Sequence, residues 1–306
     1  MSKYPQTVQS CIVNLIDKLR KDPNYAQRTI RFYLEECTSI FNILIEHRSD
    51  ILPYNVTIED LDWLLFEMGR RNFTVSTKKG YVSALRKICR FYNNDVVAKK
   101  RIRWQQDMRP NVDWLKDEQA KALLNCSKTA NQELIIHLEL CMGLRRCEVG
   151  RLKPEHIHDG YIDVVGKGSM GGKLRRVPFH PRSEEVFLRY NQYRKDMLAV
   201  AQARHRTPPI MPDRYLVYER SGRIYNYSET KLSGIDQQLY DLQESLGFKF
   251  SNHTLRRTFG RVMYHSGAKT ATIAKLLGHE SEESTLRYIG VNLDDMTDAM
   301  NLFTLR

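Results

Sequence analysis

The stretch "LLGHESEESTLRYIG", residues 276–290, joins two predicted helices and governs the interpretation of the whole chain. Gly278 follows an apolar run and is expected to end the first helix in the left-handed conformation, which glycine adopts without strain. Ser281 is expected to cap the second helix, whose first turn carries two glutamates that suit the helix dipole. Tyr288 then falls two turns into that helix, where a tyrosine by itself is more often a packing residue than a reactive one.

Length and charge limit the class of protein. A chain of 306 residues with 42% hydrophobic residues is expected to form two globular domains rather than one. Lys and Arg number 48 against 36 Asp and Glu, which gives a net charge of +12. This balance favours a polyanionic partner, nucleic acid first, although many basic proteins have no specific partner.

Cysteine use and hydropathy indicate the compartment. The six cysteines include no C-x-x-C pair, a pattern typical of reducing compartments. The polar N-terminus has no signal-peptide core, and no apolar run approaches the roughly 18 residues needed to cross a membrane. We therefore expect a cytoplasmic, nucleoid-associated protein, or a nuclear one if the host has a nucleus, without membrane contact.

Residues 1–95 are predicted to be a helical domain. Apolar residues at helical spacing predict four helices, of which the second covers 25–48 and a basic fourth covers 76–92. Thr57 is expected to cap the third helix. Residues 96–114 are rich in Lys and Arg without a clear period, so we interpret them as a basic linker between domains.

Residues 115–306 are predicted to be a mixed domain. Two β-type runs, 161–165 and 174–179, flank a glycine-rich segment and predict an antiparallel hairpin. One more strand is predicted over 215–218, with loops around it. The tail, 292–306, has an apolar stripe at helical spacing and is expected to form a C-terminal helix. The predicted fold class is therefore α+β, mainly α, with a helical domain followed by a mixed domain that contains a small antiparallel sheet.

The segment "MGLRRCEVGRL" could contribute to a phosphate site. Gly143 follows an apolar helix and is expected to be its left-handed C-cap. Arg145 and Glu148 are three positions apart and share a helix face, so the carboxylate can hold the guanidinium in place. Taken alone, such a pair is more often an ordinary surface ion pair.

The segment "HTLRRTFGRVM" is a second candidate. His253 and Arg256 lie beside the apolar stripe of one helix, and Gly260 falls between them on the helical wheel. Glycine costs helix stability, so its presence predicts a close approach by backbone or ligand. By itself the segment is more often a basic amphipathic helix.

Lys167 and Lys173 in the hairpin turn could reach into a groove or remain solvated.

Together, in this order and spacing, these motifs closely resemble those of the tyrosine recombinases, the family of Xer proteins and of phage and mobile-element integrases, over about residues 140–290. "GLRRCEV" resembles the first arginine motif, "VVGKG" the turn with the catalytic lysine, "HTLRRTF" the H-x-x-R box and "LLGHESEESTLRYI" the last box. The helical first domain resembles the family's core-binding domain. The resemblance implies a catalytic set of Arg145, Lys167, His253, Arg256, His279 and the nucleophile Tyr288, with Glu148 in support.

The resemblance also implies a reaction. Tyr288 would attack a DNA phosphodiester and form a 3′-phosphotyrosyl intermediate, while the two arginines bind the nonbridging oxygens. Lys167 would protonate the leaving 5′-oxygen, and the two histidines would hydrogen-bond the phosphate or assist proton transfer. Because the hairpin is a few residues longer than the shortest family versions, Lys173 stays open as an alternative acid. No metal, ATP or other cofactor is expected.

The implied partner is double-stranded DNA with a specific recombination site, on which the protein would assemble as a tetramer across paired sites. The target sequence stays open, as does the choice between integration, excision and dimer resolution. Basic side chains of the first domain and linker are expected to contact DNA phosphates. They are Lys78, Lys79, Arg86, Lys87, Arg90, Lys99, Lys100, Arg101 and Arg103.

Two other classes of function also use residues of these types. A type IB topoisomerase uses a similar set of side chains, and a non-enzymatic helix-turn-helix protein could place residues 257–284 on DNA. The second alternative leaves Arg145, Glu148 and Tyr288 without a role. A metal site is not expected, because the histidines and cysteines show no ligand spacing in sequence.

Overall fold

The computed structural model describes residues 6–104, 113–166, 172–204, 210–227 and 233–290. The chain divides into two compact units, chiefly between residues 110 and 111. Each unit has its own buried apolar core. The predicted tail helix over 292–306 lies outside the described residues.

The first unit is entirely helical in its described part. Its predicted helices are confirmed, and Thr7, Thr57 and Thr74 cap three of them by accepting hydrogen bonds from backbone N–H groups. Helices α1, α2 and α4 pack together around fully buried residues such as Phe41 and Leu85. The helices are α1 (Val8–Lys21), α2 (Gln27–His47), α3 (Ile58–Arg70), α4 (Val75–Phe91) and the short α5 (Val96–Lys99).

Residues 96–104, which the sequence assigned to the linker, pack on the first unit. Val97 in α5 is fully buried, and Ile102 and Trp104 contact the same core. Lys100 forms an ion pair with Asp62 of α3. Three apolar residues, three basic residues and the mixed sequence Ile-Arg-Trp follow one another here, a stretch too short to show a period, so the pattern alone does not predict packing.

The second unit is mixed, so the predicted fold class is confirmed. The chain enters it through α6, and α7 continues into a π-helical turn before α8. The remaining elements in the described residues are one 3₁₀ turn (Pro154–His156), two hairpins and five further α-helices. The order is α6 (Asp117–Asn125), α7 (Ala130–Ile136), the π-helical turn (His137–Cys141), α8 (Arg146–Arg151), β1 (Tyr161–Val165), β2 (Leu174–Pro178), α9 (Ser183–Arg204), β3 (Val217–Arg220), β4 (Arg223–Asn226), α10 (Ser233–Leu246), α11 (Asn252–His265), α12 (Thr270–Leu277) and α13 (Glu282–Ile289).

The first hairpin confirms the prediction from sequence. Strands β1 and β2 are antiparallel, with Tyr161 opposite Pro178 and Val165 opposite Leu174. The second hairpin corrects the sequence prediction. The single strand expected over 215–218 begins at Val217 and pairs with β4, a segment that the sequence predicts to be loop. Ser221 and Gly222 both have positive φ, 53° and 77°, as a two-residue type I′ turn requires.

Two glycines bring the functional segments together. Gly143 has a φ of 67°, as expected for a helix C-cap, and a Cβ there would clash with the ring of Phe259 in α11. A Cβ at Gly260 would lie 2.8 Å from Cγ2 of Ile289 in α13. The predicted close approach at Gly260 is therefore real, but a side chain makes it, rather than backbone or ligand. Through this contact α13 packs directly on α11.

Gly260→Ala should destabilise the second unit. Alanine gains about 1 kcal/mol in a helix over glycine, but overpacking against the buried Ile289 costs about 1–3 kcal/mol, so a net loss is expected. Gly69→Ala in α3 is the matched control, because its Cβ would meet only the Lys78 Nζ at 3.7 Å and should stabilise the protein. Urea denaturation followed by circular dichroism measures both, and equal stabilisation by the two variants would contradict the packing argument.

Candidate active site

Glu148 in α8 is the centre of the site. The residue is 2% exposed, and its carboxylate accepts hydrogen bonds from Arg145 Nη1 at 2.9 Å and from both Nη atoms of Arg175 at 2.8 Å. The backbone N–H of Arg145 donates to Oε2 at 2.7 Å, and Arg256 Nη1 lies 3.5 Å from the same oxygen. One buried carboxylate therefore gathers three guanidinium groups from three separate segments of the chain.

The ionisation of Glu148 reflects these partners. Burial by itself raises the pKa of this carboxyl, but the hydrogen bonds and charge of Arg175, the charge of Arg256 and the Arg145 N–H outweigh it and hold the pKa at about 2. Glu148 is therefore a carboxylate at any physiological pH, with no proton to give. Its role in the site is to hold the guanidinium groups of the three arginines in position.

Arg256 in α11 joins the first arginine motif to the end of α12. The residue is 1% exposed, and its guanidinium group donates hydrogen bonds to the backbone carbonyls of Gly143 and Leu277. Burial, with the neighbouring charge of Arg145, lowers the pKa of Arg256 to about 10, so the guanidinium stays charged at neutral pH. The left-handed turn at Gly143 and the end of α12 are thereby fixed relative to one cation.

His279 follows the left-handed C-cap of α12, Gly278, which is as predicted. Its Nε2 lies 3.4 Å from Arg256 Nη2, which can only donate, so Nε2 accepts. The proton is then on Nδ1, which donates to Thr285 Oγ1 at 2.9 Å. Burial, followed by the charges of Arg256 and Arg145, lowers the pKa of His279 to about 4, so the ring is neutral at pH 7.

Tyr288 is half-buried in α13, and its ring lies 5.0 Å from that of His279. The predicted Ser281 cap of this helix is confirmed. The Tyr288 hydroxyl donates a weak hydrogen bond to the backbone carbonyl of His253, at 3.4 Å. Burial raises the pKa of Tyr288, although Arg256 and Arg257 oppose the shift. The phenol is therefore protonated at neutral pH and must lose its proton to act as a nucleophile.

The other predicted residues are placed less uniformly. His253 is exposed at the start of α11, one turn before Arg256. Lys167 lies outside the described residues. Lys173 is described, with its side chain 77% exposed and its Nζ 2.7 Å from Glu280. Lys173 is therefore paired with the carboxylate of Glu280, the residue that follows His279.

A cavity of about 550 Å³ opens between β2, the end of α12 and the start of α8. Basic side chains dominate its lining and Glu280 is its one carboxylate among the described residues, so the cavity suits an anion such as a phosphate group. Tyr288 packs behind His279 rather than on the wall. The described lining is Arg145, Gly166, Lys173, Leu174, Arg175, Lys275, Gly278, His279, Glu280 and Ser284.

Arg175 is the residue that sequence reasoning missed. It lies on β2, and its Nε donates to the backbone carbonyl of Leu276 at 2.8 Å while both Nη atoms bind Glu148. It thus connects the hairpin, α8 and α12. The strand pattern carried a signal: Arg175 shares a face with the buried Val177 and pairs with the buried Val164, so it is an arginine at a core position.

The first unit carries a second cationic surface. A cleft of about 790 Å³ lies between the α1–α2 connection and α4. Lys87 Nζ donates to the Tyr25 hydroxyl at 2.5 Å and lies 4.8 Å from that ring. Three of the predicted DNA-contacting residues line this cleft, with two lysines of α1 that the sequence prediction did not include. Its cations are Lys18, Lys21, Arg86, Lys87 and Arg90.

Comparison with known proteins identifies the class. The model of the phage integrase family matches residues 113–294, more than half of the chain. A tyrosine recombinase XerC of Natranaerobius thermophilus is 22% identical over 95% of this chain and 97% of its own length. The chain therefore belongs to the phage integrase family and is a tyrosine recombinase, as the motifs indicated.

Solved structures agree on the fold. The Tn1549 transposon integrase in complex with transposon right end DNA superposes with a TM-score of 0.66 at 17% identity, covering 95% of this chain and 98% of that one. XerH bound to its difH substrate superposes with a TM-score of 0.61 at 16% identity, covering 100% of this chain and 99% of that one.

Within the described part of the chain, no helix is both long and apolar enough to cross a membrane.

Replacing Arg175 by Met should destabilise the protein because it removes the ion pair between Arg175 and Glu148. The substitution keeps the aliphatic stem but leaves a buried carboxylate short of two hydrogen bonds, which costs about 2–4 kcal/mol at pH 7. Arg176→Met is the matched control, since the Arg176 side chain is 72% exposed, lies over the Tyr161 ring and is 3.5 Å from the Asp163 carboxylate. It should change the free energy of unfolding by about 0.5 kcal/mol or less.

The same variants give a pH test. The folded-state pKa of Glu148 is lowered from 4.5 to about 2, so its stabilising effect is complete above pH 4.5 and is lost as pH falls towards 2. The stability gap between wild type and Arg175→Met should therefore narrow below pH 4.5 in urea denaturation. A gap that stays constant from pH 7 to pH 3 would mean that Arg175 acts only by packing.

Proposed function

We propose that this protein is a site-specific recombinase that cleaves and rejoins DNA through a 3′-phosphotyrosyl intermediate on Tyr288. The observation that carries the proposal is the convergence of Arg145, Arg256 and His279 at one anion-binding cavity, with Tyr288 behind His279. Arg145 and His279 line the cavity, and Arg256 is buried against His279. A packing tyrosine needs no such surroundings. The named relatives support the class of reaction, and the residue roles rest on this geometry.

In the proposed step, the Tyr288 oxygen bonds to phosphorus as the bond from phosphorus to the 5′-oxygen breaks. The two arginines bind the nonbridging oxygens and stabilise the charge of the transition state, where one preorganised donor is worth about 10²–10³ in rate. A histidine takes the phenol proton, and Lys167 protonates the leaving oxygen. Attack by a 5′-hydroxyl reverses the step. The bond energy is kept in the intermediate, so we expect no need for ATP or a metal.

Tyr288 must move for this step. Its hydroxyl is held by the His253 carbonyl, away from the cavity wall. The hydrogen bond is long and weak, so DNA binding can displace it at little cost. A bound phosphate would also favour proton uptake by His279, whose Nε2 lone pair faces Arg256, because negative charge offsets the effects that now lower its pKa.

We also propose that the cationic cleft of the first unit binds the DNA backbone. Lys79, Arg86 and Arg90 fall on one face of α4, opposite the buried residues of that helix. Lys18 and Lys21 extend this charge to α1. The Tn1549 integrase and XerH structures are DNA complexes, which supports the same partner here. Assembly as a tetramer on paired sites remains part of the proposal.

The nucleophile can be tested by covalent trapping. The protein is incubated with randomised duplex DNA that carries nicks, so that a short fragment leaves after cleavage and the adduct cannot be reversed. Wild type should yield adducts on the peptide that contains Tyr288, as identified by mass spectrometry, and sequencing of the bound DNA should reveal one preferred site. Tyr288→Phe should bind DNA with unchanged affinity and give no adduct, whereas Tyr264→Phe, a half-buried tyrosine of α11, should behave as wild type.

The outcomes separate the alternatives. Adducts without sequence preference, together with relaxation of any supercoiled plasmid, would favour a type IB topoisomerase. Tight DNA binding with no adduct under any condition would favour a non-enzymatic binding protein. An adduct that persists in Tyr288→Phe would assign the nucleophile to another residue.

The two hairpin lysines can be separated chemically. A substrate with sulfur at the 5′-bridging position has a leaving group that needs little protonation. This substrate should restore cleavage by Lys167→Ala, while Lys173→Ala should cleave ordinary DNA nearly as wild type, because Lys173 is held by Glu280 at 2.7 Å. If sulfur instead rescues Lys173→Ala, and Lys167→Ala is active on ordinary DNA, the general acid is Lys173.

A further inference from the structure

We propose that His137, Cys141 and His180 form a binding site for a divalent cation of the zinc class. One ligand-capable atom from each of the three side chains lies within 4.8 Å of the other two. The cluster belongs to the second unit but takes no part in the proposed strand cleavage. Its sequence spacing gave no sign of it, because His180 lies 39 positions after Cys141 and only the fold brings them together.

The π-helical turn presents two of the ligands. His137 and Cys141 are the first and last residues of that turn. They are four positions apart, a spacing that places two side chains on the same face of a helical turn. His180 comes from the connection between β2 and α9. His137 is buried, whereas Cys141 and His180 are half-buried, so the cluster has a closed side and an accessible side.

Hydrogen bonds already orient His137 for coordination. The Ser183 hydroxyl donates to the Met142 thioether at 3.6 Å, and a thioether can only accept. The Ser183 oxygen is therefore left to accept from His137 Nε2–H, at 2.8 Å. The lone pair of His137 is then on Nδ1. A histidine that donates one ring N–H to a fixed acceptor and offers the other nitrogen is the usual arrangement around a bound metal.

The donor set selects the metal. Imidazole nitrogen and thiolate sulfur suit zinc and similar transition metals, and they suit Mg²⁺ or Ca²⁺ poorly. Tetrahedral zinc, with Zn–N and Zn–S bonds of about 2.0–2.3 Å, places its ligand atoms about 3.3–3.6 Å apart. The ligand atoms now lie within 4.8 Å of one another, so they must move closer together to bind zinc. Rotation of the half-buried Cys141 and His180 side chains can bring them closer. Water would complete the coordination, because three protein ligands leave one position open.

Two features oppose binding and make the proposal testable. The Arg182 backbone N–H donates to His180 Nδ1 at 3.2 Å, a long bond that metal coordination would displace. The exposed Arg182 side chain also places positive charge near both histidines. The charge of Arg189 is offset by Glu133 and Glu185, which leaves Arg182 as the main repulsive group. Deprotonation of Cys141 on metal binding supplies the compensating negative charge.

Co²⁺ is the probe, because its spectrum reports tetrahedral geometry and thiolate ligation separately. The full-length protein, kept reduced with a non-thiol reductant and free of chelators, is titrated with Co²⁺ in the absence of DNA. The expected result is visible ligand-field bands of tetrahedral cobalt and a near-ultraviolet thiolate-to-metal band, both saturating at one equivalent per chain. Zn²⁺ should then bleach both by displacement.

Variants assign the ligands. Cys141→Ser should abolish the thiolate band, and His180→Gln should weaken Co²⁺ binding by at least about tenfold; both residues are half-buried, so the variants should fold. Cys126→Ser, a half-buried cysteine of the same unit, should leave the spectrum unchanged. Arg182→Gln should tighten binding because it removes the repulsive charge, and Ser183→Ala should weaken it by about 10–100-fold. Circular dichroism confirms that each variant is folded.

Three results would overturn the proposal. The first is a wild-type spectrum of octahedral cobalt without a thiolate band. The second is a thiolate band that survives Cys141→Ser or disappears with Cys126→Ser. The third is Co²⁺ affinity that is indifferent to His180→Gln and Arg182→Gln, which would place the bound cobalt elsewhere on the chain.

Discussion

The interaction on which the site depends is the sharing of one buried carboxylate, that of Glu148, among three arginines. Three guanidinium groups placed this close together repel one another, and burial makes the repulsion stronger than in water. Each oxygen of the Glu148 carboxylate accepts two hydrogen bonds, and its negative charge offsets part of the repulsion between the guanidinium groups. The carboxylate thereby fixes the positions of Arg145, Arg175 and Arg256. The residual positive charge faces the cavity and is available to a phosphate.

The backbone supplies the second half of the arrangement. Arg256 donates to carbonyls at the end of the first arginine motif and at the end of α12, so both segments follow its position. Gly143 makes the first of these possible by its left-handed turn under Phe259, and Gly260 allows Ile289 to pack α13 against α11. Tyr288 is therefore positioned both by the packing of its neighbour Ile289 and by the guanidinium groups of Arg256 and Arg257, which lie 5.8 Å and 5.4 Å from the centre of its ring.

The π-helical turn before Gly143 serves two neighbouring sites. Its last residue precedes the left-handed turn by two positions, and the backbone then enters α8 with Arg145 as the N-cap. The same turn lifts His137 and Cys141 towards His180, where the proposed metal site lies. Single π-helical turns inside α-helices are frequently found at functional sites.

By itself, the sequence determined the helical first unit, the mixed second unit, the first hairpin and the left-handed glycines at Gly143 and Gly278, since each follows from local spacing and local backbone preference. The ordered motifs also indicated the family, because several separated signals in register are far more specific than one. Only the tertiary structure showed Arg175 on Glu148, the true bounds of the β3–β4 hairpin and the cluster of His137, Cys141 and His180. These features depend on contacts between residues distant in sequence, which no local pattern encodes. The free energy of these long-range contacts depends on burial and on charge pairing, which arise only when the chain has folded.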